Sequence, residues 1–224
     1  MGRYNVTFAK RGYMIFTSHL DMQRLFKRAF KRADIALKYS QGYNPHPLMS
    51  FAQPLSLGYY SECEILEFKT KEDFDTEEIT RRLNDCMPEG LVVLGCAEMT
   101  VEEKTLASRC YGAVYKIEIP VSLLGSEGES TVEERVKEYL AQDEIIAYKR
   151  SKKKKEPAPV NIKEKIQSIG CRACDDKIIM TTKLDAGSDS NLSPELILQS
   201  LFGFLGLDLK RETVDITRLE LLCK

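Results

Sequence analysis

The sequence holds only two histidines, His19 and His46, and both stand beside groups that chemistry can use. His19 lies between Ser18 and Asp21; His46 is bracketed by Pro45 and Pro47 and follows Ser40 in the same loop. Imidazole titrates near neutrality, so two of them at one site can act as general acid and general base. Asp21 would orient one ring, and Ser18 or Ser40 would supply a hydroxyl. His19 and His46 are therefore the candidate catalytic residues, for RNA cleavage without a metal. The structural alternative is that His19 packs at a helix end and His46 hydrogen-bonds within its loop.

The segment around His46 reads Tyr39-Ser40-Gln41-Gly42-Tyr43-Asn44-Pro45-His46-Pro47. One glycine and two prolines fix an irregular backbone there, and ordering such a loop costs conformational entropy. Tyr39 and Tyr43 offer ring faces; Ser40, Gln41 and Asn44 offer hydrogen-bonding groups. Aromatic platforms beside a cationic track are what hold single-stranded nucleic acid. The cations stand just upstream, in Arg24, Lys27, Arg28, Lys31 and Arg32, with only Asp21 at the edge of that face. The candidate ligand contacts are thus Ser18, His19, Arg24, Arg28, Lys31, Tyr39, Ser40, Gln41, Gly42, Tyr43, Asn44 and His46.

Positioning these residues is the task of a strand and a helix. Tyr4, Val6 and Phe8 alternate at a period of two and predict a strand over Arg3 to Ala9. Met22, Leu25, Phe26, Ala29, Phe30 and Ala33 recur at helical spacing, which predicts a helix to about Ala33 with the cations on its opposite face. Thr17 or Ser18 caps it, with Asp21 in the place of a capping-box acid. A short strand over Ile35 to Tyr39, a hairpin from Ser50–Leu57 to Cys63–Phe68 around Gly58, a helix over Asp75 to Cys86 and a strand from Leu91 complete the first half. The second half predicts strands at Ala113–Ile119, Ile145–Lys149, Lys177–Thr182 and Val214–Leu222. Its helices fall at Thr131–Ala141 and after Ser193-Pro194. The order β-α-β-β-α-β thus occurs twice. It predicts an α+β chain of two tandem ferredoxin-like domains, residues 1–105 and 112–224.

Composition narrows the class. The chain has 224 residues, 43% hydrophobic and 30% charged, enough for a globular core. Net charge is −1 overall, yet residues 1–60 carry +7 and residues 61–110 carry −7. A concentrated basic block suits a phosphate-rich partner. The acidic block suits a basic protein, or is a solvated surface. No apolar run approaches the roughly 20 residues that cross a bilayer. The start of the sequence lacks the apolar stretch of a signal peptide, and Val6 stands where myristoylation wants Ser or Thr. These features predict a cytoplasmic protein with no membrane partner. Seven cysteines scattered among apolar segments fit reduced thiols. Cys171 and Cys174 form a lone C-x-x-C without two further ligands, so neither a metal nor a cofactor is expected. The basic run Arg150 to Lys155 predicts an exposed loop. There is no P-loop, dinucleotide fingerprint or nucleophile elbow.

Several of these motifs occur together elsewhere. Phe16-Thr17-Ser18-His19-Leu20-Asp21, Arg24 and Arg28, the whole Tyr39–Pro47 loop, Ser50-Phe51-Ala52, Pro54-Leu55, Leu57-Gly58 and Ser61-Glu62 closely resemble the bacterial radical-SAM-linked protein family. Its members occur fused to, or encoded beside, a radical-SAM protein with a cobalamin-binding domain. The likeness is dense over residues 3–70 and loose beyond 100, where Asn161-Ile162-Lys163 replaces an Asp-Leu-Arg type segment. It implies partnership with a radical-SAM enzyme. The chain itself lacks the Cys-x₃-Cys-x₂-Cys of that chemistry. Tandem ferredoxin-like domains are also similar in architecture to CRISPR RNA-processing endonucleases. Three expectations stand: an RNA-binding accessory protein that presents tRNA or rRNA to a radical-SAM modification enzyme, an RNA endonuclease using His19 and His46, or a protein–protein adaptor docking through the acidic block.

Overall fold

The computed structural model describes residues 2–100, 102–123, 129–149, 156–174, 176–207 and 210–224. The chain divides into two compact units, residues 1–110 with 223–224, and residues 111–222.

In the first unit, strand β1 (Arg3–Lys10) turns Tyr4, Val6 and Phe8 into the core, as the alternation requires. Helix α1 (His19–Arg32) lays Met22, Phe26, Ala29 and Phe30 on that face. The Phe26 ring meets Phe8 at 4.8 Å, and Phe30 meets Phe68 at 4.6 Å. Strands β2 (Met49–Phe51), β3 (Tyr60–Lys69) and β4 (Leu91–Glu98) and helix α2 (Thr76–Asn84) follow. β1 pairs antiparallel with β3, Val6 opposite Leu66, and with β4, Val6 opposite Cys96. α2 begins where the Asp75 carboxylate accepts the Glu77 and Glu78 N–H groups, at 2.9 and 3.0 Å, and it buries Ile79 and Leu83.

Two local expectations fail. Ile35–Tyr39 is not a strand; it makes only isolated bridges, Leu37 to Thr70 and Tyr39 to Pro47. Of the expected hairpin, only Met49–Phe51 pairs with β3. Pro54 has no N–H to give a ladder, and Gly58 turns the chain at φ +76°.

The second unit contains β5 (Cys110–Pro120, its first residue counted with the first unit), α4 (Glu129–Ala141), β6 (Ile146–Lys149), β7 (Ala158–Asn161), β8 (Ile166–Cys174), β9 (Lys177–Asp185), α5 (Pro194–Leu205) and β10 (Asp215–Cys223, its last residue likewise counted with the first unit). The short helix α3 (Leu106–Arg109) precedes them. Ser193 stands at the N-cap of α5 without a side-chain hydrogen bond, and Gly206 ends that helix at φ +72°.

The expected two tandem ferredoxin-like domains are overturned. The main strands form one mixed eight-stranded sheet in the order β4-β1-β3-β10-β5-β9-β8 with β2 on β3, and β6 and β7 form a separate two-stranded sheet. The second half departs from the repeat because β6 takes β7 as its partner, Ala147 opposite Val160. An additional strand, β8, then lies along β9. The basic run at residues 150–155 lies outside the described residues. Among the described residues no helix is long and apolar enough to cross a membrane.

Candidate nucleic-acid interface

The start of α1 is a closed network. Ser18 Oγ accepts the Asp21 N–H at 3.2 Å and donates to Asp21 Oδ2 at 2.7 Å, while Arg24 donates to Oδ1 at 2.9 Å. The Ser18 hydrogen bond, then that of Arg24, holds the Asp21 carboxyl below the usual carboxylate range. Asp21 therefore serves the helix cap and Arg24 and does not orient His19. The His19 Nε2 instead faces Gln23 Nε2 at 3.1 Å, one helical turn on, and its ring stands edge-on to Phe51 at 5.2 Å. It lines a cavity of about 20 Å³ with Lys10, Gln53 and Glu64, room for about one water.

The Tyr39–Pro47 loop closes on itself. The Ser40 N–H donates to the His46 carbonyl at 2.8 Å, and the His46 N–H donates to Ser40 Oγ at 3.1 Å. Ser40 Oγ also lies 2.9 Å from His46 Nδ1. The hydroxyl donates to Nδ1 or accepts from it according to the ring's tautomer. Gly42 takes φ +119°, open to glycine and strained for other residues. Gln41, Gly42, Tyr43 and Asn44 form an exposed tip, and Tyr43 is as open as a free side chain, at 111%. His46 lines a surface pocket with Met49 and Ser50, away from the His19 cavity. Among the described residues the two histidines share neither a hydrogen bond nor a cavity wall.

What does converge is the helix's basic face and the loop's first ring. Lys27 Nζ lies 6.0 Å over the centre of Tyr39. Lys27, Lys31, Lys71 and Tyr39 line a pocket of about 220 Å³ with Phe30, Ile35 and Leu37, and no carboxylate stands among the described residues of its wall. Lys31 also borders a groove of about 530 Å³ along the neighbouring flank of α1, with Arg28 and Arg32. Among the described residues Lys27, Arg28, Lys31 and Lys71 form no ion pair. All five helix cations are exposed, but two of them have described partners: Arg24 is paired with Asp21, and Arg32 donates to the Cys86 carbonyl at 2.5 Å.

Two pocket residues stand outside the candidate contacts read from the sequence, for different reasons. Lys27 belongs with Lys31 through the i,i+4 spacing of one helix face, a signal that was there to use. Lys71 sits within the acidic block and has no sequence signal; it arrives because its N–H donates to the Ala36 carbonyl at 2.9 Å. Part of that acidic block is engaged inside the unit. Glu67 pairs with buried Arg3 at 2.8 Å, Glu78 with Arg82 at 2.6 Å and Glu103 with Arg109 at 2.7 Å. Glu62 pairs with Arg11, and Glu64 accepts from Ser61 at 2.7 Å. Cys171 and Cys174 lie three apart on β8 and so point to opposite faces of the sheet.

A family described as "Uncharacterized protein conserved in bacteria (DUF2344)" matches residues 3–194. The chain belongs to this family. DUF2344 proteins occur near, or fused with, radical-SAM and cobalamin-binding proteins. No curated protein matches the sequence. Among solved structures, one described as a Cbf5-Nop10-Gar1 complex aligns with a TM-score of 0.55 at 11% identity, over 97% of this chain and 48% of that one. The chain therefore spans about half the length of that structure's chain, and the likeness is one of fold. A protein of unknown function from Galdieria sulphuraria aligns over 99% of this chain and 98% of its own, at 12% identity and a TM-score of 0.25.

Proposed function

We propose that this DUF2344 chain is a cytoplasmic RNA-binding accessory protein that presents tRNA or rRNA to a partner radical-SAM modification enzyme. The observation that carries the reading is the pocket where Lys27, Lys31 and Lys71 surround the Tyr39 ring. Three ammonium groups without a described carboxylate repel one another until an anion enters, and a phosphate oxygen is the anion that RNA repeats along its length. Tyr39 adds a ring on which a neighbouring base stacks. Phosphate contacts supply affinity, and the open tip of Gln41, Tyr43 and Asn44 supplies selectivity.

His19 and His46 enter as contacts rather than as an acid–base pair, since each ring faces a different partner and a different cavity. The enzyme partner has a candidate landing place in Tyr13, 93% exposed, and Phe16, 68% exposed. Both lie on the 3₁₀ turn Gly12–Phe16, where residues three apart project from the same side, and open aromatics that share a face favour protein contact.

The test is binding of fluorescent single-stranded RNA at graded salt. Affinity falls steeply as salt rises, and Lys27→Ala with Lys31→Ala makes the log–log slope shallower by about 1.4, at roughly 0.7 per phosphate contact. A flat salt response in the unmodified protein contradicts the reading.

A further inference from the structure

The second cavity of the basic helix differs in kind from the lysine pocket. It holds about 530 Å³, within the range of roughly 300–1,000 Å³ for small-molecule sites. Its walls are apolar in the middle, where Met14 rises from the 3₁₀ turn, Leu25 from α1 and Pro88 from the loop before β4. Along α1 the lining runs from Asp21 through Leu25 to Arg28, Lys31 and Arg32, so carboxylate and cations are spaced along the helix, with Arg28 still acting on Asp21 by charge. A bare phosphate would use only the cationic end. A flat ring with a phosphate at one edge and hydrogen donors at the other would use all three regions.

We propose that this groove binds one unpaired nucleotide of the RNA, with its base against Met14, Leu25 and Pro88 and its phosphate on Arg28. The inference rests on the RNA-binding reading and deepens it. Lys31 lines both this groove and the lysine pocket, so one strand can place successive phosphates on either side of its ammonium group. Asp21 sets which base is accepted. Its carboxylate oxygens already take hydrogens from Ser18 and Arg24 and keep further acceptor capacity, but they have nothing to donate. A base presenting an exocyclic amine to that carboxylate is favoured; one presenting a carbonyl is repelled. Cytosine is therefore accepted over uracil, which has the same outline.

The experiment measures binding of CMP, UMP and inorganic phosphate to the full chain by calorimetry, with a fluorescent twelve-residue oligocytidylate in parallel. CMP should bind at least about tenfold more tightly than UMP or phosphate, the discrimination expected of a good carboxylate–amine contact. Asp21→Asn should erase the preference for CMP over UMP. Leu25→Trp, checked by thermal melting for intact folding, should abolish CMP binding by filling the groove. Equal affinities for CMP, UMP and phosphate overturn the inference, as does CMP binding that survives Leu25→Trp. If oligocytidylate binds with a steep salt dependence and CMP does not bind, the groove assignment falls while RNA binding stands. If neither binds, both fall.

Discussion

Lys27 Nζ stands 6.0 Å above the Tyr39 ring, joining the basic face of α1 to the first residue of the proline-bracketed loop. Both side chains are exposed, so the contact is at the weak end for a cation over a ring, about 0.5–1 kcal/mol. Its value lies in placement: it holds an aromatic face next to uncompensated positive charge.

That placement predicts non-additive effects on RNA affinity. Tyr39→Leu and Lys27→Ala should each weaken binding of single-stranded RNA. The double variant should lose less than the two single losses combined, because each removes part of one shared surface. Urea unfolding of all three should differ from the parent by no more than about 1 kcal/mol. Strict additivity would show that the two residues contact RNA independently.

Stability should depend far more on Arg3 and Glu67. Their ion pair at 2.8 Å is buried, Arg3 also donates to the Thr100 and Glu103 carbonyls at 2.8 and 2.6 Å, and Glu67 accepts the Leu106 N–H at 3.0 Å. Glu67→Leu leaves a buried guanidinium without its counter-charge, which costs about 3–5 kcal/mol. Urea denaturation should show that loss, with RNA affinity of the folded fraction unchanged. A loss below about 1 kcal/mol would mean that Arg3 finds another partner or water.

Thiol reactivity should single out Cys223. A hydrogen bond with Cys110, and then the nearby charge of Arg109, lower its pKa to about 7. Burial instead raises Cys96 to about 12 and Cys171 to about 11. The thiolate is the nucleophile, so at neutral pH Cys223 carries far more thiolate than the other two. Mass spectrometry after brief iodoacetamide treatment at pH 7.5 should find Cys223 carboxamidomethylated first, with a rate that falls as pH drops through about 7. Cys110→Ala should slow it. Equal labelling of Cys96 would contradict the assignment.

The first unit was more legible in the sequence than the second, for physical reasons. Its strand and helix declare themselves through uninterrupted periodicity in Tyr4-Val6-Phe8 and Met22-Phe26-Phe30, and its loop through Gly42, Pro45 and Pro47. β8 carries Ser168, Gly170 and Ala173, small side chains that bury little, so nothing in that stretch announces a strand. Once β8 is missed, the second half looks like a repeat of the first. The site divides along the same line. Asp21 with Arg24 and His19 with Gln23 are neighbours one turn apart and follow from helix geometry. Lys71 beside Lys27 and Lys31 depends on where the chain leaves β3, which local pattern does not encode.

The central claim is that the basic helix and the Tyr39–Pro47 loop form one RNA-binding surface. Photocrosslinking with RNA containing 4-thiouridine, followed by peptide sequencing, tests it most directly. The predicted result is a set of adducts on both elements, on Tyr39 or Tyr43 and on peptides containing Lys27 or Lys31, all suppressed together by Lys27→Ala with Lys31→Ala. Adducts confined to the second unit, or crosslinks in the loop that persist unchanged in that double variant, would contradict it.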